Sequence, residues 1–177
     1  MTTLAATPLP ATWTVREARA AYLAENGFTV EGYDDRWTKA SFLGIPLVVL
    51  NTKRHRWAIM LHDLHHIATG FGTNLVGESE ISIWELREGW RHLGLYVGSI
   101  VFTGALMGIS APSRAASAWR AAKSSRSLFS LFPEANDAAY EALLDLTVGE
   151  LRARLGIPRE GATSLPRGRH HYAPAQS

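Results

Sequence analysis

The chain has 177 residues, 46% hydrophobic and 19% charged, a composition that fits one globular domain with its own core. It has no cysteine, which excludes disulfides, thiolate nucleophiles and Cys-ligated zinc or iron–sulfur sites, so any metal must be held by nitrogen and oxygen donors. A formal charge of +2 is too small for nucleic-acid binding through a bulk field.

The opening MTTLAATPLPAT lacks the basic-then-apolar layout of a signal peptide, so no export is expected and the cytoplasm is the expected location. Residues 1–13, with Pro8 and Pro10, read as a flexible leader. Thr14 can cap a helix through VREARAAYLAEN that Gly27 closes. The stretch from Phe28 to Thr52 is irregular, with short extended pieces around Leu47 to Leu50. Thr52 caps KRHRWAIMLHDLHHIAT, ended by Gly70, and GFGTN leads to a third helix over Val76 to His92. The uncharged run 93–109 follows, then a basic helix restarted by Ser110 and Pro112. A short helix begins after Pro133, and Thr147 caps VGELRARL, which Gly156 and Pro158 stop. Residues 159–177 read as a disordered tail. The expected class is mostly α: one helical metal-binding domain over 14–158, with short irregular or extended N-terminal segments.

HDLHHIATGFGTNLVGE, from His62 to Glu78, carries the chemistry. His62 and His66 are four residues apart, so they share one helix face. Taking His62 as 0°, His66 falls at about 40°, Asp63 at about 100° and His65 at about −60°. Glycines at 70, 72 and 77 let the chain reverse and bring Glu78 back towards His66. Two imidazoles and two carboxylates make a donor set for one divalent cation, so His62, Asp63, His66 and Glu78 are the expected metal ligands. Zinc, iron and manganese all suit these donors. His65 lies on the flank, placed to support the ligands from behind or to handle a proton, with a simple structural or solvent-facing histidine the other reading; Asp63 is the other candidate catalytic group. Three histidines and an aspartate within five residues argue against a merely solvated helix face.

Two local rivals share the string. Zinc proteases with H-E-x-x-H use the intervening glutamate as general base. Asp63 is one methylene shorter than that glutamate, which disfavours protease chemistry. Phosphohydrolases with a His-Asp pair need a histidine on an earlier helix and a distant aspartate. Only His55 precedes the pair, on the same expected helix, while Asp137 or Asp145 could supply the aspartate.

His-Asp-x-x-His, eleven residues and then Glu78 resembles the signature of the coenzyme Q biosynthesis protein 4 family. The resemblance extends through HDLHHIATGFGTNLVGESEISIWELREG, the basic helix near Trp119 and LLDLTVGELRARLGIP, covering about residues 36–158. It implies a helical protein holding a divalent metal on His62, Asp63, His66 and Glu78. It also implies a role in ubiquinone assembly on prenylated benzenoid intermediates, with oxidative loss of the ring C1 carboxylate and hydroxylation of the same carbon. Two alternatives stand beside this. One is a non-catalytic lipid-binding scaffold that gathers quinone-biosynthesis proteins. The other is a related enzyme acting on a polycyclic or prenylated secondary metabolite.

Residues 93–109 would span about 26 Å as a helix, short of a hydrocarbon core of about 30 Å. The run reads as a core helix, and Gly94, Gly98, Gly104 and Gly108 would let an isoprenoid tail or another helix approach its backbone. From Gly89 to Pro133 there is no acidic residue, and Arg114, Arg120, Lys123 and Arg126 with Trp119 would suit an anionic membrane surface. Peripheral association with the inner face of the cell membrane is one reading of this stretch, and a solvated basic face is the other. Expected partners are a prenylated quinone precursor, other quinone-biosynthesis proteins and a second copy of the chain, with no nucleic acid.

Overall fold

Three helices begin and end where local chemistry dictates. In α1 (Val15–Asn26) the Glu17 N–H donates to Thr14 Oγ1 at 3.2 Å, while Glu17 Oε2 accepts from the Thr14 N–H at 2.8 Å. This reciprocal capping box satisfies two otherwise orphaned donors. The same box joins Thr147 and Glu150 at the start of α8 (Val148–Leu155), and Thr52 caps α2 (Lys53–Thr69) through the His55 N–H. Gly27, Gly70 and Gly156 close these helices with φ of 72°, 78° and 69°, a left-handed region that costs a side-chain-bearing residue energy.

In this computed structural model, residues 9–42, 45–88 and 94–162 are described. They are mostly α-helical, as expected. After α1 a 3-10 turn (Glu31–Asp34) leads to strands β1 (Trp37–Phe42) and β2 (Ile45–Leu50). The strands pair antiparallel from Trp37 opposite Leu50 to Phe42 opposite Ile45, so the expected extended pieces form a two-stranded ribbon. Then come α2, α3 (Leu75–Glu88), α4 (Gly94–Leu106) with a 3-10 extension (Met107–Ser110), and α5 (Pro112–Ala121). A 3-10 turn (Ala122–Ser124), α6 (Leu128–Leu131), α7 (Asp137–Leu144) and α8 follow. The expected third helix to His92 is observed as far as Glu88, and 89–93 lie outside the described residues. Among the described residues, no helix is long and apolar enough to cross a membrane.

Helix α2 is the central element. Its Leu61, Leu64, Ile67 and Ala68 are buried with Val15, Ala18 and Tyr22 of α1, Ile81 and Trp84 of α3, and Leu151 and Leu155 of α8. The C-terminal end of α2 is held by a side chain that sequence reasoning did not single out. Arg152 of α8, only 1% exposed, donates to the carbonyls of Ala68 (2.9 Å), Ile67 (3.4 Å), Arg159 (2.7 Å) and Leu9 (3.0 Å). A cation at a helix C-terminus also opposes the negative end of the helix dipole.

This guanidinium corrects both expected boundaries. The flexible leader is docked from Leu9 onward: Leu9 is buried, and the Gly149 and Val148 N–H groups donate to the carbonyls of Ala11 and Trp13. At the other end Arg159 is tied to Arg152, and the Ala162 N–H donates to Thr69 O at 2.7 Å. Residues 1–8 and the remainder of the expected tail, from 163, lie outside the described residues.

Candidate metal centre

The GFGTN loop sets the site, and each of its residues has a task. Gly70 turns the chain out of α2, its N–H donating to His66 O at 2.9 Å. Phe71 is buried and offers its carbonyl to His66 Nδ1 at 3.1 Å. Gly72 lies so close to Gly77 that a Cβ on the latter would sit 2.0 Å from Gly72 O. Thr73 Oγ1 donates to Asn26 Oδ1 at 2.6 Å, fixing the loop to the end of α1. Asn74 receives the Gly77 N–H on its side chain and the Glu78 N–H on its carbonyl, both at 2.8 Å, and so starts α3.

The reversal delivers Glu78 to the histidine face. His62 Nε2 and His66 Nε2 lie 3.1 Å apart. Glu78 Oε2 is 3.4 Å from His62 Nε2, and Glu78 Oε1 is 3.6 Å from His66 Nε2. Two donors bonded at about 2.05 Å to a tetrahedral zinc ion lie about 3.3 Å apart, so the three donors are spaced as ligands of one cation. They form a group that could hold a metal ion.

Both imidazoles are turned to present Nε2. His66 Nδ1 faces the Phe71 carbonyl, and His62 Nδ1 faces Glu85 Oε1 at 2.8 Å. Each acceptor requires the proton on Nδ1, which leaves an Nε2 lone pair free for a metal. Two such lone pairs cannot face each other at 3.1 Å without a proton or a cation between them. Tyr22 stacks on the His66 ring at 5.7 Å and fixes its plane.

The electrostatics favour positive charge here. Burial disfavours a charged His62, yet Glu85 and Glu78 outweigh it and lift its pKa well above that of a free imidazole. Burial pushes Glu78 up, and His66 and His62 more than reverse this, holding it well below the usual carboxylate range. The same contest at Glu85, settled by His62 and His65, leaves its pKa at about 2.

Asp63 does not join the other three donors. The offset that separates it from His62 around α2 carries it to the 3-10 turn, where the Tyr33 hydroxyl donates to Asp63 Oδ2. Burial raises the Asp63 pKa, and the Tyr33 hydrogen bond opposes that rise. Of the four expected donors the structure therefore brings three together, while Asp63 is turned to Tyr33. Of the roles open to His65, its surroundings fit the supporting one and not the proton carrier. His65 is fully buried, its Nδ1 faces Glu85 Oε1 at 2.7 Å, and its Nε2 accepts from the Leu128 N–H at 2.8 Å. Both ring nitrogens are engaged, which leaves none to carry protons to a substrate.

The expected lipid groove is filled at two of its glycines. A Cβ on Gly104 would meet Ser82 Oγ at 2.2 Å, and one on Gly108 would meet Ile83 Cδ1 at 2.7 Å and Ser79 Oγ at 2.9 Å. These glycines seat α4 and its 3-10 extension against α3. Gly98 is buried, and the surroundings of Gly94 lie outside the described residues. Among the described side chains of α4 and its extension, the exposed large apolar ones are instead Ile100, Phe102, Leu106 and Ile109.

Of the expected membrane-facing cations, Arg114 forms a two-pronged ion pair with Glu80, at 2.8 and 2.6 Å. Glu80 is buried, so that cation is committed to the fold. Arg120, Lys123 and Arg126 are exposed, and Arg87 lies over the exposed Trp119 ring at 4.6 Å.

Glu85 and Tyr33 are the functional neighbours that sequence reasoning missed. Glu85 follows Glu78 by seven residues, two helical turns on the same face, and that spacing could have found it. Tyr33 comes from a separate turn and carried no signal. No family model, curated protein or solved structure matches this chain.

Proposed function

We propose that this chain is a divalent-metal enzyme of ubiquinone assembly that acts on prenylated benzenoid precursors. The reaction replaces the ring C1 carboxylate with a hydroxyl group. In it a C–C bond breaks, a C–O bond forms and CO₂ leaves. This is a two-electron oxidation that needs an external oxidant such as dioxygen.

The observation that carries the metal reading is the pair of Nε2 atoms 3.1 Å apart, each backed by an Nδ1 acceptor and faced by Glu78. The quinone substrate rests on the resemblance of HDLHHIATGFGTNLVGE to the coenzyme Q biosynthesis protein 4 signature. Two histidines and one carboxylate suit both catalytic zinc and non-haem iron, and both types of site keep positions open for substrate. The bound cation would supply Lewis acidity at a substrate carboxylate or phenolate oxygen. His62, His66 and Glu78 would hold it, the Phe71 carbonyl and Glu85 keep the imidazoles turned, and Tyr22 walls the His66 side. Glu78 is 39% exposed while His66 is fully buried, so substrate would enter past Glu78. The exposed Phe102, Leu106 and Ile109 offer apolar surface for an isoprenoid chain. In cells this would place the protein on the inner face of the membrane.

The test is a deletion strain complemented with His62→Ala or Glu78→Ala. Both proteins should fold, lose metal and accumulate the carboxylated prenyl-ring precursor. Normal quinone output from both would end this reading. The same apolar side chains also favour a second reading, a lipid-binding scaffold. In that case purified, metal-loaded protein would bind the precursor and never turn it over.

A further inference from the structure

We infer that Glu85 is the positioning residue of the metal centre: one of its oxygens locks His62 and His65 together, so that a histidine unable to touch the metal sets how tightly it is held. This rests on the metal reading above and adds a residue outside the ligand set.

The tautomer of His65 is fixed from outside. The Leu128 N–H, at the start of α6, donates to its Nε2 at 2.8 Å, so its proton is on Nδ1. That proton goes to Glu85 Oε1 at 2.7 Å. The ring cannot turn away, because Trp84 and Phe129 pack edge-on against it at 5.0 and 4.7 Å. Glu85 Oε1 therefore has a defined place, and from there it accepts His62 Nδ1 at 2.8 Å. The result is a continuous line from the Leu128 amide through His65 and Glu85 to His62, ending at the Nε2 that faces His66 and Glu78.

The burial of Glu85 points the same way. The side chain is fully buried and its Oε2 has no hydrogen-bond partner among the described residues. A buried carboxylate with one unpartnered oxygen is a poor device for stabilising a fold. The contacts that explain this charge are the two imidazoles. A carboxylate behind a metal-bound histidine fixes the ring and raises its basicity.

The experiment is titration of the metal-free full-length protein with Zn²⁺ and Co²⁺, alongside thermal unfolding without metal. Glu85→Gln is nearly isosteric and removes the buried charge. It should bind Zn²⁺ about ten- to a hundredfold more weakly, with a metal-free melting temperature no lower than wild type. His65→Phe keeps a ring between Trp84 and Phe129 and should also weaken Zn²⁺ binding, with an altered Co²⁺ visible spectrum. Wild-type affinity in Glu85→Gln overturns the inference. So does a lowered metal-free melting temperature with unchanged affinity, which would make Glu85 a fold residue alone. A wild-type protein that takes up neither ion sinks the metal reading itself, a separate outcome.

Discussion

An alanine at position 77 would place its methyl carbon 2.0 Å from the Gly72 carbonyl oxygen and 2.4 Å from the carbonyl carbon. Both are backbone atoms, so no side chain can swing aside. Reaching a separation of even 3.0 Å requires the GFGTN loop and the first turn of α3 to part by about 1 Å. Glu78 is the next residue. A ligand bond of about 2.0 Å lengthened by that amount is no longer a bond, and the three-donor cluster loses its acid. Overpacking of this kind costs about 1–3 kcal/mol, and alanine's better helix propensity returns about 1 kcal/mol. With the upper end of the first figure, the net loss is about 2 kcal/mol, or about 4–8 °C in Tm for a chain of this size. Zn²⁺ affinity should fall more than tenfold. The matched control is Gly32→Ala, where the nearest atom to a new Cβ is Thr29 Oγ1 at 3.9 Å. Calorimetry with and without Zn²⁺ reads both quantities. Gly77→Ala with the affinity and Tm of Gly32→Ala would refute the account of how the loop aims Glu78.

Arg152→Met keeps an apolar stem but strips donors from the Leu9, Ile67, Ala68 and Arg159 carbonyls, and should cost about 2–4 kcal/mol in urea unfolding. A cost below about 0.5 kcal/mol would show that water replaces the guanidinium freely. Arg114→Ala leaves the buried Glu80 unpaired and should lose about 2–3 kcal/mol, while a double-mutant cycle with Glu80→Gln should recover a coupling energy. On anionic liposomes, joint neutralisation of Arg120, Lys123 and Arg126 should reduce flotation more than an Arg114 change does; the reverse would return Arg114 to the membrane-facing set. Metal uptake should release about one proton near pH 7, because the raised pKa of His62 keeps it protonated until the cation displaces that proton. Affinity then rises with pH, and calorimetry in buffers of different ionisation enthalpy would give no such dependence if His62 were already neutral.

What could be read from the sequence was local. Thr14 with Glu17 and Gly27, Thr52 with Gly70, and Thr147 with Glu150 and Gly156 act on groups within a few residues, so the helix ends fall where expected. The His62–His66–Glu78 cluster was legible for the same reason: helical spacing fixes the first two, and a loop of forced reversal fixes the third. Asp63 was misread because its direction is set by the element that packs beside it, and the Tyr33 turn lies thirty residues earlier in the chain. Gly104 and Gly108 carry one signature for two occupants, a lipid chain or a neighbouring helix, and only the placement of Ser79, Ser82 and Ile83 chooses between them. Leu9 looked like part of a loose leader until Arg152, from the far end of the chain, supplied its hydrogen bond.

Exposure is graded across the three donors in a way that bears on the proposed reaction. His66 is fully buried against Tyr22, His62 is 27% exposed and Glu78 is 39% exposed. His66 is therefore shielded from solvent, both imidazoles are oriented by the Phe71 carbonyl and Glu85, and exposure rises through His62 to Glu78. Glu78 also lies in the first turn of α3, where the positive end of the helix dipole favours an incoming anion. On the proposed reading, a ring carboxylate entering from this side would meet cation and dipole together. A metal kept only for structure is normally enclosed by four protein ligands. Among the described residues three donors converge with one flank open, the arrangement that the proposed enzymatic reading requires.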